Sequence, residues 1–293
     1  MAHRFGPESI TGSMRSASLL YLFYALLVFI TSGVLGALQW GILLRFHGIK
    51  PGLYGTISRY FMGLFFNYIL PGFVGGDIIR VYQASRISGQ TTQAFSSTLA
   101  DRVTGLFVLV LFSLVAFMFM PKGSFGKVFP VALIMFLMLA GFIILFRVRP
   151  AGKFIGLTFG RFIPSSVREK LTLVYNEMNE LTRSPSTLAA VFGTSIIIQF
   201  TRIMVHFLCG KAVGVEPGFI CFALFVPLME ITASIPISVG GVGIRETMGV
   251  ALFSTVGVVK PEVIAYTLLA TFVGFLGSVP GGIAFALSGG EKK

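Results

Sequence analysis

Several long stretches of this chain carry no charged residue at all: Ser18–Leu44, Tyr60–Gly76, Val103–Pro121, Val128–Phe146 and Val263–Gly290. A helix needs roughly 20 predominantly apolar residues to cross a bilayer, and most of these stretches supply about that length. Others are shorter: Thr187–Thr201, Pro217–Met229, Ile231–Ile244 and Thr247–Val259 are pieces divided by Arg202, Glu230 and Arg245-Glu246. With a mean hydropathy of +0.87 and only 12% charged residues, the chain falls outside the soluble globular class. The reading is an all-α, polytopic membrane helical bundle, and 293 residues leave no room for a separate soluble enzyme domain.

The formal net charge of +12 invites a nucleic-acid partner, yet most basic residues lie in short connections or in the segment Arg147–Arg183. Cytoplasmic loops collect Lys and Arg, so topology accounts for the charge, with attraction to anionic headgroups as a second reading. Cys209 and Cys221 lie at or within apolar segments and imply no disulfide framework. The apolar run from Ser18 is too long for a signal-peptide core and is expected to stay as the first membrane helix.

A string containing Pro71, Gly75, Gly76, Asp77 and Arg80 recurs at one spacing as Pro236, Gly240, Gly241 and Arg245, followed by Glu246. Chain-breaking residues followed by charges, embedded twice in apolar sequence, point to two broken, re-entrant hairpins around a polar site. The order helix, broken hairpin, helix appears twice at matched intervals. Residues 1–17 form a polar N-terminal tail, disordered or interfacial, ahead of a membrane domain over 18–288. Repeat one covers about 18–120, a linker helix 128–146, a cytoplasmic amphipathic segment 147–186, and repeat two about 187–288. In the amphipathic segment, Ser166 to Glu169 reads as a capping box, and Val167, Leu171, Val174, Met178 and Leu181 repeat with helical period. That helix either lies on the membrane surface or packs on the bundle. If both hairpins dip in and return, three crossings separate them, which favours an inverted repeat with the basic loop inside. Whether the hairpin legs cross fully is left open.

Irregular backbone at membrane depth survives only where protein or water surrounds it. The helix starts after Gly75-Gly76 and Gly240-Gly241 would aim free amides and a positive potential at an anion. Arg80 or Arg245 would reinforce a phosphate with a bidentate fork. The alternative is that the glycines only permit close packing. Charges within apolar spans cost ~2.5–3.5 kcal/mol each near a helix centre and are functional candidates. Here these are Asp77, Asp101, Glu230, Glu246, Arg80, Arg102, Arg202 and Arg245, in equal numbers that suggest mutual neutralisation. Asp101-Arg102 stands near a helix start, so snorkelling is its plain explanation. Glu230 has no such escape. Asn67, Gln199 and His206 read as helix-to-helix hydrogen-bonding residues. No Walker loop, zinc-protease or serine-hydrolase motif occurs, three histidines make a zinc site improbable, and no cofactor is expected.

The series Asn67-Tyr-x-Leu-Pro-Gly-x-x-Gly-Gly-Asp77-x-x-Arg80, Asp101-Arg102-x-x-Gly105-Leu106 and Ile235-Pro-x-Ser-x-Gly-Gly-x-Gly-x-Arg245-Glu246 resembles a flippase-like membrane domain family. That family is typified by the transmembrane region of lysylphosphatidylglycerol synthase, the multiple peptide resistance factor. The likeness covers nearly all of residues 18–288. It implies movement of a lipid with a polar headgroup between leaflets, with Asp77, Arg102 and Glu246 matching motif positions. The family's soluble aminoacyl-transferase domain is missing from these 293 residues, so lysyl transfer is not expected.

The expected function is therefore translocation of an anionic phospholipid or polyprenyl-linked lipid across the cell inner membrane, without enzymatic chemistry. The candidate binding residues are Asp77, Arg80, Arg102, Glu230, Arg245, Glu246, Gly75, Gly76, Gly240 and Gly241. The alternatives are an integral-membrane enzyme acting on a lipid phosphate, and a non-transporting partner of an envelope- or glycan-synthesis enzyme.

Overall fold

In the computed structural model, the described residues are 7–70, 74–120, 128–147, 165–234 and 238–288. Eleven α-helices occur among them. A short α1 (Pro7–Arg15), packed against the last helix, lies where a polar tail was expected. The first half then comprises α2 (Leu19–Phe46), α3 (Leu53–Ile69), α4 (Val74–Ser88) and α5 (Thr91–Met118). Next come α6 (Val128–Arg147) and α7 (Ser165–Thr182). The second half comprises α8 (Pro185–Ala212), α9 (Phe219–Ala233), α10 (Ile244–Phe253) and α11 (Lys260–Ser288). Four of these, α2, α5, α8 and α11, are long and apolar enough to cross a membrane.

The two long first helices of the halves run antiparallel along one another. Ser18 N, just before α2, donates to Ala212 O at the end of α8 (2.8 Å), while Ser195 Oγ in the first half of α8 reaches Gln39 late in α2 (2.8 Å). Each packing pair in one half has a counterpart in the other: α3 packs on α11 as α9 packs on α5, and α2 on α5 as α8 on α11. α6 turns back along α5, with the ring pairs Phe117–Phe129 (4.7 Å) and Phe107–Phe136 (4.8 Å) marking the register.

α2 ends where α5 begins, since the His47 ring and Ser97 Oγ meet at 2.9 Å. The α3–α4 hairpin must therefore go in and come back to that end. Likewise α8 ends near the start of α11, with the His206 and Tyr266 rings 6.4 Å apart, so α9–α10 goes in from the other end. The hairpins enter from opposite ends of the bundle. The breaks lie where the sequence put them, between Ile69 and Val74 and between Ala233 and Ile244. Pro71-Gly72 and Pro236 themselves lie outside the described residues.

Membrane helices gain little from hydrophobicity against one another and instead associate through close van der Waals contact between small residues. α11 follows that rule. A methyl group at Gly281 would fall 2.0 Å from the carbonyl oxygen of Phe61, so α3 and α11 touch backbone to backbone there. Within the second half, Phe222, Phe225, Phe253 and Tyr266 form a ring cluster with centroids 4.9–5.6 Å apart, which fixes α9, α10 and α11 together.

The C-terminal half of α7 is a packing helix. Met178 and Leu181 are buried with Leu43, Ala100, Phe146 and Val191, and Asn179 Nδ2 donates to Phe146 O. Leu171 and Leu173, further toward its start, stay exposed.

A shared polar cavity between the two hairpins

α4 and α10 bring their arginines inward in matching ways. Arg80 Nη1 donates to Asp101 Oδ2 on α5 (2.7 Å), and Arg245 Nη1 donates to Thr271 Oγ1 on α11 (2.7 Å). In each half, then, the helix after the break is tied to the next helix by a guanidinium.

The first half completes a closed network. Asp77, one turn before Arg80, accepts from both Arg80 and Arg102. Asp101 also accepts from Gln39 Nε2 (2.9 Å), whose Oε1 in turn accepts from Ser195 (2.8 Å) and Thr194 (3.0 Å). The Arg80 guanidinium lies over the Tyr60 and Trp40 rings, 4.9 and 5.6 Å from their centroids. Such contacts add ~0.5–2 kcal/mol each. Asp101 is the eleventh residue of α5 and is buried, so it does not snorkel. The helix begins at Thr91, earlier than the apolar run suggests, and this draws Asp101 inward.

The second half pairs one carboxylate with two bases. Glu230 accepts from Arg245 Nε (2.8 Å), and His206 Nε2 lies 3.3 Å from the same oxygen. An acid within an uncharged run thus finds its partners on two other helices, α8 and α10.

Both networks face one cavity that opens to the outside. Asp77, Arg80, Asp101, Arg102, Arg202, His206, Glu230 and Arg245 all line it, with Tyr60, Tyr68, Asn67 and Gln199 among the uncharged polar groups. The two breaks also meet, because Gly240 lies against the backbone of Tyr68. Gln199, Arg202 and His206 present one face of α8 to the cavity at helical spacing. Gln199 is at the midpoint of this 28-residue helix, and Arg202 lies only ~4.5 Å further along its axis. The cavity is therefore near mid-membrane depth.

Five of the ten sequence candidates line this cavity: Asp77, Arg80, Arg102, Glu230 and Arg245. The other five are not among its lining residues. Glu246 turns back on its own helix, where Oε2 accepts from Gly243 N (2.5 Å) and caps α10. One of the amides expected to face an anion is likewise engaged: Gly76 N donates to Asn67 Oδ1 at 3.0 Å. Gly75 and Gly76 lie within the first turn of α4 and serve packing, since a methyl on Gly76 would meet Gly63 O at 2.1 Å. Gly240 and Gly241 have φ of +60° and +75°, a turn conformation that glycine alone adopts freely. One motif spacing therefore serves two backbone geometries.

Sequence reasoning placed Arg202 and His206 among the charged and hydrogen-bonding residues but not in the site. Arg202 is the decisive one. Among the described residues the lining holds four arginines and three carboxylates, and the carboxylates are engaged by Arg80, Arg102 and Arg245. Among the described residues Arg202 has no acidic partner and makes one long contact, from Nη2 to Tyr60 Oη at 3.4 Å. The cavity carries one surplus positive charge with His206 neutral.

The profile of the lysylphosphatidylglycerol synthase transmembrane region matches residues 1–281. The chain belongs to this family. It is also similar to a UPF0104 membrane protein of Pyrococcus horikoshii, with 23% identity over 92% of this chain and 87% of that one. A UPF0104 membrane protein of Methanothermobacter thermautotrophicus is 22% identical over 88% of this chain and 80% of its own length. The chain is thus a multi-pass membrane protein of the lysylphosphatidylglycerol synthase transmembrane-region family.

Proposed function

We propose that this protein moves an anionic phospholipid or a polyprenyl-linked lipid between the leaflets of the cell inner membrane without altering its covalent structure. The observation that carries this reading is Arg202, a guanidinium without an acidic partner at mid-membrane depth in a cavity walled by both halves. A cation left over from internal pairing at that depth is costly in a bilayer unless an anion arrives to meet it. Guanidinium matches phosphate oxygens in a fork, while acyl chains would remain in the bilayer.

The closed network of Asp77, Arg80, Asp101 and Arg102 forms the rigid wall in this reading, and Glu230 with Arg245 forms the wall that changes partners. Antiparallel α2 and α8, and hairpins entering from opposite ends, support treating the halves as an inverted repeat. Such an arrangement can expose one central site to either side by rocking one half against the other. An enzyme of envelope synthesis is the natural supplier of the cargo.

Purified protein in phosphatidylcholine vesicles carrying fluorescent phosphatidylglycerol tests the proposal. Reduction of the outer-leaflet label by dithionite should reach nearly all of the label rather than half, with the lipid's mass unchanged. A labelled zwitterionic lipid offers the same phosphate with a cation beside it, which the surplus positive charge repels, so it should cross more slowly. Equal rates for both headgroups would defeat the reading.

A further inference from the structure

We propose that His206, held against Glu230, is a proton site whose occupancy is linked to the anion at Arg202, so that lipid and proton cross together. This rests on the transport reading above and names what drives it.

Among the described residues His206 is the only histidine lining the cavity, and it sits one helical turn from Arg202. Its Nε2 faces the Glu230 carboxylate at 3.3 Å, so that nitrogen carries the hydrogen. Nδ1 is buried and has no hydrogen-bonding partner. A neutral ring therefore leaves Nδ1 an unsatisfied acceptor, and a proton there is an unsatisfied donor in turn until a change in the cavity brings it an acceptor. Imidazole is the side chain that ordinarily exchanges a proton near neutral pH.

Charged and titratable neighbours come from each element around the ring. Arg202 and Cys209 lie on its own helix, Glu230 on α9, Arg245 on α10, Tyr266 on α11 and Tyr68 on α3. α2 brings only the uncharged Phe29 and Gln39 to the cavity, and the acid and base on α5, Asp101 and Arg102, belong to the closed network. With the cavity empty, surplus Arg202 and shared Arg245 oppose a second positive charge. A bound phosphate cancels that surplus and so favours the imidazolium. Linkage is reciprocal: a proton on His206 must in turn tighten anion binding. One phosphodiester lipid and one proton then cross with no net charge.

The first half offers no equivalent, because its two aspartates are held by arginines that stay charged throughout the pH range. The two halves share a plan but divide the work, one wall fixed and one exchanging a proton.

The test uses whole protein in phosphatidylcholine vesicles with fluorescent phosphatidylglycerol and an imposed pH gradient. One-to-one coupling predicts a final leaflet ratio displaced toward the alkaline side by up to tenfold per pH unit, with no response to a valinomycin-set potential. His206→Gln, whatever its rate, should settle at a ratio near one. An internal pH dye in wild-type vesicles provides a readout independent of the variant, with acidification of the lumen as lipid moves inward. Lipid movement that ignores the gradient in wild type overturns the proton site while sparing the transport reading. No lipid movement at all overturns both.

Discussion

Arg202→Ala should slow anionic-lipid movement roughly 10- to 100-fold while leaving the protein folded and as heat-stable as before. The magnitude follows from a hydrogen bond to a charged group, ~1.5–3 kcal/mol, at one factor of ten per ~1.4 kcal/mol. Stability should hold because Arg202 is exposed to the cavity and its recorded contact is the 3.4 Å approach to Tyr60. Removing it strands no carboxylate. Arg202→Lys keeps the charge but loses the fork and should fall between the two. The fluorescent phosphatidylglycerol assay and a thermal unfolding curve on the same preparations check both halves of the expectation. A wild-type rate in Arg202→Ala would mean that the surplus charge is not what receives the lipid.

Arg80→Ala should do the opposite and fail at the level of folding. This guanidinium is buried, holds Asp77 and Asp101 together, and fills the space between Trp40 and Tyr60. Taking one partner from a buried ion network costs ~3–5 kcal/mol, because the remaining charge is uncompensated. That is a large share of a typical total stability of ~5–15 kcal/mol. The expected outcome is a sharply reduced yield of folded protein in detergent and a lowered unfolding temperature. Arg80→Leu combined with Asp101→Asn removes charge from both sides and should recover much of the loss. An unchanged unfolding temperature in Arg80→Ala would show that the first network is not structural. Two arginines in one cavity thus differ in consequence because one is fully paired and the other is not.

Much of the fold was legible because charges interrupt apolar sequence only where helices end or partners wait. The run from Ser18 became α2 with its start displaced by one residue, and the two breaks fall between the predicted legs. What escaped was the pairing. Equal numbers of acids and bases suggested complete neutralisation, but Glu246 spends one carboxylate oxygen on the first turn of its own helix, and Arg202 is left over. A capping contact three residues back is local, and the sequence does not distinguish it from a long-range one. Identical Pro and Gly-Gly spacing also concealed a difference in backbone. Gly75-Gly76 continue into Asp77 as helix, whereas Gly240-Gly241 are followed by Gly243, which keeps the chain in a left-handed turn. The amphipathic pattern of α7 likewise fixed a sided helix without saying whether protein or lipid would cover it. Its later turns meet Leu43 and Val191, and its earlier ones stay open.

The central claim is a water-filled chamber, walled by both halves, that accepts a charged headgroup. The most direct measurement is thiol accessibility in a Cys209→Ala, Cys221→Ala background carrying a single cysteine at Leu106 or at Ser234. These positions line the cavity from the first and second halves respectively, and Ile197→Cys, on an exposed apolar position of α8, is the lipid-facing control. A membrane-impermeant anionic thiol reagent should label both cavity positions quickly, glycerol phosphate should slow both, and Ile197→Cys should stay unlabelled. Labelling at Leu106→Cys and Ser234→Cys as slow as at Ile197→Cys would contradict the chamber itself.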